Sequence, residues 1–428
     1  MYLSDMGNKT MEKPYLICYF DHDFLLGGAQ TYYIRMLAWA KASFNKILIL
    51  NKGTIIAEEW KLTVDKLDIK VLYLDAIGKW LYDSKNCKIR LDLTKHSVCI
   101  VTGISQYIRI SNVFKDDLYL NLVLYVLHPT SCQISQKYFL INLFCEYRAI
   151  RKICNKNMYF MDEETLEYAQ KCYPNISFSQ NNIIRLGMDV KDYNESVRKK
   201  VCGLSKFCIL TVSRLEFPFK GYILGLIKDF ALLHNKYPDM ELNIIGGGEG
   251  MAEVETILSD YDEKIKQDIH LIGYVAYEEL AKYFERSHLY VGMGTTVLDA
   301  SMRGVPAIVA TGYQRENFCC GYFYDNYKVV GKLINESGAQ DYHFYDLIEK
   351  IYQMSIDEYL EKCRLSYKIV KENYDIELIM NRLISLSAKI TRVNSMLLKF
   401  FVALRSKKRQ STRNKVIVNV KKGNKRCK

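Results

Sequence analysis

Short apolar runs alternate with helix-length amphipathic segments along nearly the whole chain, and few folds accommodate that rhythm. Strands are expected at 15–20, 46–50, 69–73, 97–102, 119–127, 157–161 and 182–186, then at 207–213, 240–245, 268–272, 288–292 and 306–310. Helical patterns fall between them, at 29–43, 133–154, 221–236, 249–260, 276–285 and 296–303. The strand runs are rich in Val, Ile and Leu without strict alternation, which predicts burial on both faces. Strands of that kind joined by helices build parallel, doubly wound sheets. A chain of 428 residues exceeds what one core usually supports, and the strands suffice for two sheets. The polar stretch KDYNESVRKK, 191–200, separates two complete βα series. The expected division is a first domain over 12–190 and a second over 191–370.

Composition narrows the class further. The longest apolar run, 119–127, falls far short of the ~20 residues that cross a bilayer. The opening MYLSDMGNKTMEKPY lacks the apolar stretch of a signal peptide, so neither a secreted nor an integral-membrane protein is expected. The 13 cysteines are scattered without a C-x-x-C pair, which fits a reducing cytosol and predicts no disulfide framework or zinc site. The net charge of +12 is local: 401–428 holds 11 Lys/Arg and no acid, leaving +1 on the other 400 residues. Basicity thus belongs to a tail. With no aromatic residue after Phe401, that tail predicts only nonspecific attraction to nucleic-acid phosphates.

Several residues sit where chemistry is expected. The strand 207–213 runs into Arg214, and Lys220-Gly221 follows six residues later at the start of a helix. Two cations beside a helix N-terminus suit a diphosphate, because the helix adds unpaired N–H groups and its positive dipole end; two solvated loop cations are the plainer alternative. The strand 288–292 leads into Gly292-Met293-Gly294-Thr295-Thr296 and a helix carrying Asp299. Small residues let backbone N–H groups approach an anion, and a carboxylate one turn into the helix suits a ribose diol. A dipole-favoured first-turn acid would look the same. Gly246-Gly247-Gly248-Glu249-Gly250 lacks a G-x-G-x-x-G pattern and is explained by a tight turn. In the first half, Gly27-Gly28 opens a helix, and His128 follows a strand where open α/β sheets bind ligands. Asp21, His22 and Asp23 are adjacent and cannot all face one ion, so no metal is expected.

Taken in order, these features resemble the retaining glycosyltransferases of family 4, over roughly 15–390. The strongest stretch is 207–310, with R-x5-K-G, the strand–GGGE turn, the G-Y-V step and VGMGTTVLDASMRGVP; IIRLGMDV, 183–190, resembles the segment that closes the first domain. The resemblance implies a GT-B fold: two Rossmann-like, doubly wound parallel-sheet α/β domains facing a cleft. It implies that Arg214 and Lys220 bind the diphosphate of a nucleotide-sugar donor, and that Gly294, Thr295 and Thr296 hold phosphate and sugar hydroxyls. Asp299 would bind the ribose, Tyr274 and Val275 would lie near the base, and Gly27 and Gly28 would let a loop approach the phosphates. His128 matches the family's active-site histidine. No metal or bound cofactor is implied. The expected activity is metal-independent hexosyl transfer with retention to a glycan or lipid-linked acceptor, in cell-surface polysaccharide or glycoconjugate synthesis.

The chain departs from the family's E-x7-E pattern at both acids: Asp299 replaces the second, and Val291 occupies the first position. Two alternatives follow, a nucleotide-sugar epimerase or hydrolase on the same fold and a non-catalytic partner protein. After the second domain, the acid-bearing helix 371–386 suits a return toward the first domain, within a segment 371–390. In the remaining tail, 391–428, Val393, Leu397, Phe400 and Leu404 continue from Ile390 at spacings of 3, 4, 3 and 4, which line one helical face. An apolar face followed by a polybasic tail predicts peripheral attachment to an anionic membrane, on its cytoplasmic inner face.

Overall fold

Continuous apolar runs become fully buried parallel strands in a computed structural model that describes residues 13–25, 27–76, 78–132, 147–333 and 342–389. The chain divides into two units, 1–187 with 377–428, and 188–376. Both are α/β, and each carries one sheet of eight strands.

The first unit contains β1 (Tyr15–Phe20), β2 (Asn45–Asn51), β3 (Lys70–Leu74), β4 (Leu81–Tyr82), β5 (Lys88–Ile89), β6 (Ser97–Val101), β7 (Leu120–Val126) and β8 (Met158–Phe160). Their order is β5-β4-β3-β2-β1-β6-β7-β8, parallel except for β4 and β5. Every residue of β6 is buried, as expected for a strand covered on both faces. The strand order reverses between β1 and β6, so this sheet has its switch point beside the loop that carries Gly27 and Gly28.

The run 182–186 is not a strand. Gln180–Asn182 form a 3-10 turn, and only Ile183 bridges to Phe160. The Tyr125 hydroxyl lies 2.7 Å from the Ile184 carbonyl and 2.8 Å from that of Arg185, occupying acceptors that a longer ladder would use. Of the helix expected at 133–154, residues 147–153 are helical, and 133–146 lie outside the described residues.

The last described residues complete the first unit. The helix Ile356–Tyr374 runs through the expected boundary at 370 and ends at Asp375; a new helix, Ile376–Leu386, then begins. Beyond it, the Ala388 carbonyl accepts from Leu122 N at 3.2 Å and from Asn157 Nδ2 at 2.8 Å. Asn121 Nδ2 donates to Ser387 Oγ, and the Tyr159 hydroxyl donates to the Leu386 carbonyl. These contacts lie at the amino ends of β7 and β8, away from the loops where ligands bind in such sheets.

The second unit contains β9 (Phe207–Val212), β10 (Met240–Ile245), β11 (Ile269–Gly273), β12 (Leu289–Gly292), β13 (Ala307–Gly312), β14 (Phe318–Tyr322), β15 (Lys332–Leu333) and β16 (Tyr342–His343). The order is β11-β10-β9-β12-β13-β14-β16, with β15 paired to β13. The short antiparallel strands β14 and β16 follow the parallel series. Here the order reverses between β9 and β12, the two strands that feed the Arg214 and Gly294 loops.

Arg198 fixes the entry to β12. Its guanidinium is fully buried and donates to the carbonyls of Ser287 at 2.9 Å and Phe284 at 3.4 Å, at the end of the helix Leu280–Arg286. A cation at a helix C-terminus meets the negative end of the dipole and its unpaired carbonyls.

Candidate functional site

Four loops leave the carboxyl ends of β9, β10, β11 and β12, and backbone hydrogen bonds join three of them. Leu215 N donates to the Gly247 carbonyl at 3.0 Å, Gly250 N to that of Leu215 at 2.9 Å, and Gly246 N to that of Gly273 at 2.8 Å. Glycine is required for this approach: Gly246 has φ +130, and a Cβ there would stand 1.8 Å from the Ser213 carbonyl oxygen. The glycine cluster therefore holds the loop carrying Arg214, in keeping with the turn expected from sequence.

Arg214 and Lys220 project from that loop in different settings. Arg214 is exposed and pairs with Glu216 at 3.0 Å. Lys220 forms no salt bridge among the described residues; its Nζ lies 4.6 Å from the Phe219 ring centroid. Burial and the neighbouring Arg214 cation push the Lys220 ammonium down to about 8, against a smaller opposing pull from Glu216. A desolvated cation without a carboxylate partner gains strongly from an incoming anion.

The loop after β12 closes the other side of the switch point. Gly294 has φ +79 and precedes the helix Thr295–Ser301. Its N–H donates to the Val330 carbonyl, so the N–H groups of Thr295 and Thr296, at the helix start, are the ones suited to an anion. The Thr296 hydroxyl is engaged internally: it receives the Tyr290 hydroxyl at 2.5 Å and donates to the Met293 carbonyl at 3.2 Å. Tyr290 is fully buried, and burial raises its phenol pKa. It fixes the β12 loop against the helix it precedes.

Asp299 is 3% exposed. Its Oδ1 accepts from the Tyr277 hydroxyl at 3.0 Å, and its carbonyl accepts from Arg303 Nη1 at 2.7 Å. Tyr274 and Val275 follow β11 directly, with Tyr274 67% exposed and Val275 half-buried. Val291 is fully buried in the apolar core and pairs with Ile308, so no acid stands at that position. The second unit thus brings Arg214, Lys220, Tyr274, Val275, Gly294, Thr295, Thr296 and Asp299 to one edge of one sheet.

The remaining expected residues belong to the first unit. Gly27 precedes the helix Gly28–Trp39, and a Cβ at Gly28 would meet nothing within 4 Å. His128 is exposed just after β7, where its carbonyl accepts from Ser131 N at 2.9 Å. Asp21 accepts from His22 Nδ1 at 2.8 Å and from Gln106 Nε2 at 2.7 Å, whereas Asp23 caps Ile55 N at 2.9 Å. Despite desolvation, the His22 and Gln106 hydrogen bonds hold the Asp21 carboxyl down at about 2. The two acids are therefore committed to separate partners. Sequence reasoning missed Tyr277, Tyr290, Gln106 and the buried Arg109, whose Nη1 lies 3.3 Å from the Tyr19 hydroxyl.

Comparison with known proteins places this architecture. Residues 193–333 match the family described as glycosyl transferases group 1. Mannosylfructose-phosphate synthase from Agrobacterium fabrum is 31% identical over 132 residues, 28% of this chain and 29% of that protein. The amylovoran biosynthesis glycosyltransferase AmsK from Erwinia amylovora is 28% identical over 126 residues, 29% of each chain. These alignments span less than a third of either relative. Solved structures match over far more. HepE from Anabaena, in complex with UDP and glucose, aligns at TM-score 0.55 and 12% identity over 86% of this chain and 98% of its own. A TarM variant from S. aureus, in complex with fondaparinux, alpha-GlcNAc-glycerol and UDP, aligns at TM-score 0.57 and 12% identity, covering 90% and 100%. The two parallel-sheet units have the GT-B fold, and residues 193–333 are similar to the glycosyl transferases group 1 family.

Proposed function

We propose that the protein is a glycosyltransferase that moves a sugar from a nucleotide-diphosphate donor to a glycan or lipid-linked acceptor, with retention and without a metal. One observation carries this reading. At the switch point of the second sheet, the half-buried Lys220, which forms no salt bridge among the described residues, and the Arg214 loop stand on one flank, and the helix start at Thr295 on the other. Arg214, Lys220 and the N–H groups of Thr295 and Thr296 stabilise the charge that grows on the leaving diphosphate. The acceptor hydroxyl attacks from the face the diphosphate leaves, and a leaving phosphate oxygen takes its proton, so no carboxylate base is needed. Asp299 holds the ribose, Tyr274 and Val275 flank the base, Gly27 and Gly28 give the phosphates room, and His128 sits by the sugar. UDP in the HepE and TarM structures supports a nucleotide donor. AmsK, named for amylovoran biosynthesis, supports a role in polysaccharide synthesis.

The test is a thermal-shift panel of nucleotide sugars followed by donor turnover with and without acceptor glycans. The cognate donor should raise Tm markedly, because a ligand at 100 Kd adds about 2.7 kcal/mol of stability. Rapid turnover of donor alone identifies an epimerase or hydrolase. The apolar, fully buried Val291 favours one further reading, a non-catalytic partner protein, which binding without turnover would identify.

The division into a first domain over 12–190, a second over 191–370 and a returning segment over 371–390 is part of the same proposal, as is a peripheral site on the inner face of a membrane. No helix among the described residues is long and apolar enough to cross a bilayer. The tail expected to be amphipathic, 391–428, lies outside the described residues. Attachment through it predicts salt-sensitive co-sedimentation with anionic vesicles that is lost in a chain ending at Ala388.

A further inference from the structure

We infer that Tyr277 is a positioning residue for the nucleotide: its hydroxyl orients the Asp299 carboxylate toward the ribose diol. This rests on the donor reading above. Asp299 is buried on a helix that follows β12, and a polar group removed from water needs hydrogen-bond partners. Tyr277 supplies one from a different loop, the 3-10 turn Tyr277–Glu279 after β11, at 3.0 Å from Oδ1. The hydrogen bond at that oxygen restrains the carboxylate's rotation about χ2. Each carboxylate oxygen accepts more than one hydrogen bond, so the contact orients Asp299 without consuming it.

The sequence explains why this chain needs such a residue. An aspartate is one methylene shorter than a glutamate, so its carboxylate stays close to its own helix. A phenol reaching in from the neighbouring loop aims that shorter side chain. Tyr277 itself is 43% exposed, so its ring reaches solvent at the carboxyl end of the sheet.

The experiment compares UDP, ADP and GDP by calorimetry, then sets the best of them against its 2′,3′-dideoxy analogue. Wild-type protein should prefer the ribonucleotide about tenfold, the scale of a hydrogen bond to a charged group. Tyr277→Phe should abolish most of that preference by weakening the ribonucleotide alone, and so should Asp299→Asn. The double variant should be no worse than Asp299→Asn, since the two residues act as one unit. If Tyr277→Phe keeps the full preference, or weakens both nucleotides equally, the positioning role is overturned while the donor reading stands. If wild-type protein binds none of the three nucleotides, the donor reading falls, and the role of Tyr277 with it.

Discussion

The carboxyl ends of the two sheets are built by different means. In the second unit, loops 213–217, 246–250 and 273 are laced by backbone hydrogen bonds, and glycines let them touch. In the first unit, the loop after β1 is tied by Phe24, whose backbone bonds to that of Ile55 and Ala57, and by side chains: Gln106 and His22 hold Asp21, Asp23 holds Ile55, and Gly28 faces open space. Approach as close as that at Gly246 and Gly248 demands glycine at fixed positions and therefore leaves a motif. The contacts of the first unit leave none, because many residue sets satisfy the same hydrogen bonds. This is the physical reason the second unit is conspicuous in sequence and the first is not.

The sharpest way to break the comparison is a methyl group. Gly246→Ala combines a strained positive φ with a 1.8 Å approach to the Ser213 carbonyl oxygen, so the second unit should lose about 3 kcal/mol or more. Thermal denaturation reads this directly, and an unchanged Tm would show that the loops are not fastened together. Next in size is Lys220→Ala. Losing a charge-assisted contact of about 1.5–3 kcal/mol should slow transfer ten- to a hundredfold while the far-UV spectrum persists.

A titration sharpens the same point. Because Lys220 is pushed down to about 8, its charge is lost as pH rises through that value, and UDP affinity should fall across the same window. The linked stability has the opposite sign. The unfolded lysine keeps its proton to about 10.4, so between the folded and unfolded values the unfolded state binds more protons and stability rises with pH. Both trends should vanish in Lys220→Ala. Smallest of all is Gly28→Ala, where no neighbour lies within 4 Å. Stability should change by less than about 0.5 kcal/mol, yet transfer should slow if donor phosphates approach that backbone. Unaltered kinetics would remove Gly28 from the site.

Much of the fold was legible because buried parallel strands are continuous apolar runs; β1, β2, β9 and β10 begin and end within a residue of their expected bounds. The run at 182–186 misled for the same reason, since burial and apolarity were real but Tyr125 took the carbonyls a ladder needs. The helix Glu163–Cys172 went unnoticed although Asp162 is a good N-cap, its side chain accepting from Thr165 N. The site divides similarly. Arg214, Lys220, Gly294 and Asp299 stand at motif spacings. Tyr277 is 22 residues from Asp299 and belongs to another loop, so only the folded chain reveals the pair.

The first unit is finished by residues synthesised after the whole second unit, and this bears on the order in which a ribosome releases the parts. Until residues 386–389 emerge, Leu122 N, the Asn157 amide and the Tyr159 hydroxyl lack the carbonyls they meet in the finished protein. All of 188–376 is made in the interval. The second unit is contiguous and can form during synthesis, whereas the first must wait with these contacts unmade. A message cut short before codon 377 would therefore yield all of 188–376 joined to a first unit that lacks these contacts.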